Sequence, residues 1–176
     1  MIRKRIEDAQ AWGIAGLLFA IPLVFFTRMY EIFDTPKLVL LVVGLSLASA
    51  SVALFTSMDS LVSARGVVVP ILALVVPFTV SWIFSPYRGF SLLGEYGRFT
   101  GLVPYIVFAW LALLVAVAPL DRHQVVRALA CSGGVVALYG VAQRLGYDAL
   151  DWVMDWSAST IGNPNFTGGF LAVVFP

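Results

Sequence analysis

The feature that most constrains this chain is a succession of long runs almost free of charge: Ala11 to Phe26, Leu38 to Thr56, Val67 to Phe84, Leu102 to Leu120, and Val125 to Gln143, with a sixth beginning at Phe166. A helix needs roughly 20 apolar residues to cross a hydrocarbon core about 30 Å thick, and only helices and closed barrels satisfy every backbone polar group there. The runs therefore predict an all-α fold, a polytopic transmembrane helix bundle of five full spans plus the start of a sixth. Residues 1–176 form a single transmembrane domain on this reading. The stretch from Phe166 to Pro176 is about half of what a crossing requires. The chain accordingly reads as the N-terminal part of a longer protein, or as one ending in a half-inserted stub.

Composition narrows the function. Hydrophobic residues make up 60% of the chain and charged residues 12%, with mean hydropathy +0.93, where a soluble domain has about 45–50% apolar and about 25% charged residues. A soluble globular enzyme is excluded. The net charge of +1 excludes a polybasic nucleic-acid binder, which clusters Lys and Arg. The single cysteine, Cys131, lies in an apolar run and reads as a small core residue, with no disulfide framework and no metal-ligand spacing around it. The one histidine, His123, sits in the polar stretch DRHQ between two runs and reads as a solvated loop side chain. No metal and no cofactor is expected.

Arg3, Lys4 and Arg5 resemble the start of a signal peptide, but Glu7 and Asp8 follow and no small-residue cleavage site ends the first run, so that run is read as a retained span. Lys and Arg in short loops set orientation. With the N-terminus cytoplasmic, Arg3, Lys4, Arg5, Arg65, Arg122 and Arg127 lie inside, against Arg28, Lys37, Arg88, Arg98 and Arg144 outside. The cluster before the first run favours that orientation, which turns the two longest connections, Ser85 to Thr100 and Arg144 to Asn165, outward.

These two connections hold most of the polar chemistry. The first, SPYRGFSLLGEYGRFTG, carries Arg88 and Arg98 between glycines, beside Glu95, Tyr87 and Tyr96. Two guanidinium groups where backbone can approach closely suit a phosphate or pyrophosphate headgroup; ordinary anionic lipid or pairing with Glu95 is the plain alternative. The second carries Asp148, Asp151, Asp155, Trp152 and Trp156, the composition of a short helix in the headgroup plane. It ends in Gly162, Asn163, Pro164 and Asn165, where an Asn before Pro is held extended and Pro suits the first helical turn, so the motif reads as a structural cap at a sharp helix entry.

Within the runs, small residues recur in the second (Ser46, Ala48, Ser49, Ala50, Ser51) and fifth (Ala128, Ala130, Gly133, Gly134, Ala137), the composition of close helix packing in lipid. Pro22, Pro70 and Pro77 predict kinks. Lys37, at the head of the second run, reads as a snorkelling side chain.

Four segments together resemble the N-terminal half of the bacterial O-antigen ligase and O-antigen polymerase superfamily, which also contains pilin oligosaccharyltransferases. They are YEIFDTPKLVLL (Tyr30 to Leu41), SPYRGFSLLGEYGRFTGL (Ser85 to Leu102), ALYGVAQRLGYD (Ala137 to Asp148) and STIGNPNFTGGFLAVVFP (Ser159 to Pro176). The resemblance implies an inverting, metal-independent glycosyltransferase of about a dozen spans in the bacterial inner (cytoplasmic) membrane. Its donor would be an undecaprenyl-pyrophosphate-linked glycan on the periplasmic side, with membrane lipids as its other partners and no nucleic acid. External arginines hold the pyrophosphate in that family, which maps the role onto Arg88 and Arg98. The family's proposed base is a histidine in a large periplasmic loop of the C-terminal half, which this sequence does not reach, and His123 does not stand in for it. The chain alone is therefore expected to be inactive, its catalytic residue lying outside it. A transporter or flippase half and a non-catalytic membrane scaffold are the competing functions. No internal repeat supports the first, and tolerance of substitution at both loop arginines would mark the second.

Overall fold

The computed structural model describes residues 2–55, 65–95, 99–148 and 159–175. Among the described residues every regular element is helical, with no strand. In chain order the elements are α1 (Ile2–Ala20), α2 (Asp34–Phe55), α3 (Arg65–Ile83), α4 (Arg88–Leu93), α5 (Leu102–Val117), α6 (Arg122–Arg144), a 3-10 turn at Ser159–Ile161, and α7 (Pro164–Val174).

Among the described residues three helical segments are long and apolar enough to cross a membrane: Asp34–Leu54, Arg65–Phe84 and Arg122–Arg144. The apolar helix Leu102–Val117 is shorter. At about 1.5 Å per residue it falls several ångströms short of a hydrocarbon core about 30 Å thick. The boundaries depart from the uncharged runs for local reasons. α1 begins among the charged residues of the N-terminus and stops at Ala20, so the first run does not form one helix. Pro22 lies in the turn that follows, where Leu23 N and Val24 N both bond the carbonyl of Ala20. α5 ends because Ala118, ahead of Pro119, is extended (φ −67, ψ 150).

Two helices start earlier than the runs. α2 takes in Asp34, Pro36 and Lys37, with the acid and the proline in its first turn, where both are favoured. α6 starts at Arg122 behind a capping box: Gln124 Oε1 accepts from the backbone N–H of Asp121 at 3.1 Å while the Asp121 side chain takes the N3 amide. The stretch DRHQ is thus a helix start, not a loop, with His123 exposed on it. α3 runs continuously through Pro70 and Pro77.

The helices form two compact units. The first comprises Met1–Ile14 and Leu38–Leu120. In it α3 packs against α5, and α4 against both. Phe78 stacks on Tyr105 with ring centroids 4.1 Å apart. The small residues of α2 receive partners: Trp110 Nε1 donates to Ser49 Oγ at 2.9 Å, and Gln10 Nε2 to the carbonyl and hydroxyl of Ser51 at 2.8 and 2.9 Å. Polar contacts of this kind tie helices together in lipid.

The second unit comprises Ala15–Lys37 and Asp121–Pro176. There α7 lies across α6 at Gly133, where an added Cβ would come within 2.9 Å of Val174 and Phe175 side-chain atoms. Ser132 and Val136 are buried beside it, while Cys131 faces outward. Cys131 is therefore not a core residue. The helical turn that buries its neighbours Ser132 and Gly133 points it the other way.

Candidate functional site

In the first unit the loop after α3 folds back on the end of that helix. Trp82 Nε1 donates to the carbonyl of Arg88 at 3.2 Å, the Ser85 and Ser91 hydroxyls meet at 2.6 Å, and one guanidinium N–H of Arg88 reaches the carbonyl of Ile83 at 3.3 Å. That bond orients the side chain and leaves the guanidinium's other donors free of it. Arg88 is exposed. Phe84, Tyr87 and Phe90, all more than half exposed, surround it in sequence.

Past α4 the backbone closes on itself. Gly94, with φ +88, lies so near Thr100 and Gly101 that a Cβ on either glycine would run into the opposite backbone. Only glycine permits this neck. It ties the chain after Arg88 back to the start of α5. Arg98, together with Tyr96, lies outside the described residues, as do Asp151, Trp152, Asp155 and Trp156 of the second long connection.

The second unit holds a polar junction that the sequence did not reveal. Lys37 Nζ donates to the carbonyl of Thr160 at 2.7 Å and lies 5.3 Å from the centroid of the Phe33 ring. Lys37 therefore does not simply snorkel; its charge is held by a carbonyl and an aromatic face. Thr160 Oγ1 donates to the carbonyl of Pro22 at 2.8 Å. Ser159, fully buried and at φ 49, donates its hydroxyl to the carbonyl of Val136 at 2.6 Å.

Gln143 uses both ends of its amide. Its Oε1 accepts from Ser159 N at 2.6 Å, and its Nε2 donates to Asp148 Oδ2 at 2.8 Å. Tyr139 OH reaches both oxygens of the same carboxylate, at 3.1 and 3.2 Å. One turn above Gln143 on α6, the Tyr139 ring also stacks on Phe25, with centroids 6.1 Å apart.

The motif Gly162, Asn163, Pro164 and Asn165 lies beside this junction. Gly162 has φ +88, and the Phe33 ring occupies the space a Cβ would need. Asn163 is the N-cap of α7, extended at φ −149 and ψ 130, with its Oδ1 accepting from Asn165 N at 2.8 Å; Pro164 occupies the first turn. Three of the four segments quoted above thus interlock in one unit: the first-gap segment through Phe33 and Lys37, the end of α6 through Tyr139, Gln143 and Asp148, and the last segment through Ser159, Thr160 and Gly162.

The arrangement divides into a bonded junction and an open cation. In the junction most donors have protein acceptors, so it joins chain segments. The guanidinium of Arg88 is presented outward and can take an anion. Among the described residues no group of three or more His, Cys, Asp or Glu could hold a metal ion. Comparisons with protein-family models, curated proteins and solved structures find no match to this chain.

Proposed function

We propose that the chain is the N-terminal membrane part of a glycosyltransferase that moves an undecaprenyl-pyrophosphate-linked glycan, an O-antigen ligase or polymerase, and that it is inactive alone. On this reading it lies in the bacterial inner membrane with its N-terminus cytoplasmic. On the same reading α1, α2, α3, α5 and α6 serve as five spans and α7 begins a sixth, and the loop of Arg88 and Arg98 faces the periplasm. The observation that carries the proposal is the setting of Arg88. An exposed guanidinium at the end of a membrane-length apolar helix, beside exposed Phe84, Tyr87 and Phe90, has the chemistry of a site at headgroup depth, where aromatic rings settle and a lipid phosphate resides.

A pyrophosphate leaving group must have its developing negative charge stabilised, and a positioned guanidinium does this with paired N–H donors. Arg88 supplies that role and Arg98 a second cation. Proton removal from the acceptor hydroxyl falls to a group outside this chain. The test is glycan transfer by the intact enzyme in membranes. Arg88→Ala and Arg98→Ala, each inserting at normal levels, are expected to abolish transfer. Full transfer by both variants would leave a scaffold as the better account.

A further inference from the structure

α4 inverts the pattern of a helix on a water-soluble protein. Each residue turns by about 100° around a helix axis, which brings Gly89, Phe90 and Leu93 onto one arc. All three are exposed, and the arc carries no polar side chain. Ser91 and Leu92, on the other side, are partly covered, as the packing of α4 against α3 and α5 requires. The hydroxyl of Ser91 thus turns toward the protein, where it meets that of Ser85 at 2.6 Å.

The segment leading into α4 extends the apolar surface. Phe84 and Tyr87 are 81% and 75% exposed, and Phe90 and Leu93 62% and 50%. Phe84 is also the last residue of the membrane-length segment Arg65–Phe84.

Both ends of α4 are fastened at the ends of apolar helices. Trp82 Nε1 donates to the carbonyl of Arg88 at 3.2 Å, and the Arg88 guanidinium to the carbonyl of Ile83 at 3.3 Å, so α4 begins level with the last turn of α3. At its other end the close approach of Gly94 to Thr100 and Gly101 returns the chain to the start of α5. A helix of this length rises only about 9 Å. Tied down twice, α4 stays at the level where the membrane-length surface of α3 stops.

We propose that α4 is an interfacial helix, with Phe84, Tyr87, Phe90 and Leu93 seated in the boundary between headgroups and acyl chains of the leaflet where α3 ends. The bilayer is what covers this face, for two reasons. The face is continuous through Phe84 with the surface of α3, a helix with no buried residue, so the lipid that solvates α3 reaches α4. At its edge stands Arg88, an exposed cation level with the end of that helix, the depth at which the leaflet's phosphates lie. Apolar and aromatic side chains beside a cation are the composition of a helix lying in the interface plane. The inference rests on α3 crossing a membrane and not on the glycosyltransferase proposal.

The test is collision of nitroxide labels with two nickel chelates, one carried on a lipid headgroup and one free in water, in native membranes containing the full protein in a Cys131→Ser background. Phe90→Cys and Leu93→Cys carry the labels on α4, and Val76→Cys, an exposed position midway along α3, is the lipid reference. Labels at Phe90→Cys and Leu93→Cys are expected to meet the headgroup chelate several-fold more often than the label at Val76→Cys does, and more often than they meet the free chelate. Preference of the α4 labels for the free chelate, with Val76→Cys protected from it, would put α4 in water and overturn the proposal while leaving the span intact. Protection of the α4 labels from both chelates would mean that a protein surface covers this face, which also overturns it. Collision of all three labels with the free chelate would show that α3 does not lie in lipid, and the membrane reading would fail with the proposal.

Discussion

The ammonium of Lys37 and the backbone carbonyl of Thr160, 123 positions apart in the chain, meet at 2.7 Å. That one bond joins the first turn of α2 to the 3-10 turn that leads into α7. It places a positive charge on a carbonyl acceptor inside a largely apolar setting, where charge-assisted bonds are stronger than in water.

Replacing Lys37 with Met keeps the apolar stem and removes the donor. The variant is expected to lose roughly 1–2 kcal/mol of stability, the lower part of the range for hydrogen bonds to charged groups because the ammonium is only partly buried. Thermal unfolding in detergent measures it. An unchanged midpoint would mean that the bond contributes nothing net.

Gln143 binds Asp148 with its N–H and Ser159 with its oxygen. Gln143→Leu should therefore speed hydrogen exchange at the Ser159 amide while leaving amides of α3 unaffected. Gln143→Glu keeps the acceptor for Ser159 but sets a second carboxylate against Asp148. It should protect Ser159 better than Leu does and yet unfold more easily than the parent as both acids ionise. Equal exchange at Ser159 in all three proteins would exclude the clamp.

Glycines divide into two kinds. Gly162→Ala puts a Cβ into the Phe33 ring at a φ of +88, and should cost roughly 1–3 kcal/mol, with part of the loss recovered by Phe33→Leu. Gly168, inside α7 with nothing near its missing Cβ, should be stabilised by Ala by up to about 1 kcal/mol. Paired melting curves check both signs.

Asn163→Ala removes the side-chain acceptor at the start of α7 and should cost about 1 kcal/mol, whereas Asn163→Asp or Asn163→Ser should retain most of it. Helical content lost from the end of the chain, read by hydrogen exchange at Asn165 and Phe166, is the expected signature.

What the sequence disclosed follows the range of the forces involved. α2, α3 and α6 were legible because lipid selects long uncharged runs, which a single sequence displays directly. The cap at Asn163 was legible because its partner, Asn165, is two residues away. Pro22 and Pro119 marked where the first and fourth runs would break, but the uncharged residues around them masked the stops. The junction was not legible, since Lys37, Gln143 and Ser159 look like scattered polar residues at the ends of apolar runs. Their partners lie across the fold and leave no local spacing. The one available signal was Tyr139 and Gln143, four apart on one face at the end of α6. Arg88 was read from its residue type and its glycines, and its bond to Ile83 and its exposed aromatic neighbours became visible only in the structure.

The most direct measurement of the central claim is binding of undecaprenyl pyrophosphate to the purified chain by native mass spectrometry, with undecaprenyl monophosphate and a zwitterionic phospholipid as competitors. The account predicts that the pyrophosphate is retained in preference to both, and that Arg88→Ala removes the preference while the folded helices persist. Equal retention of all three lipids, or a preference that survives Arg88→Ala, would contradict it.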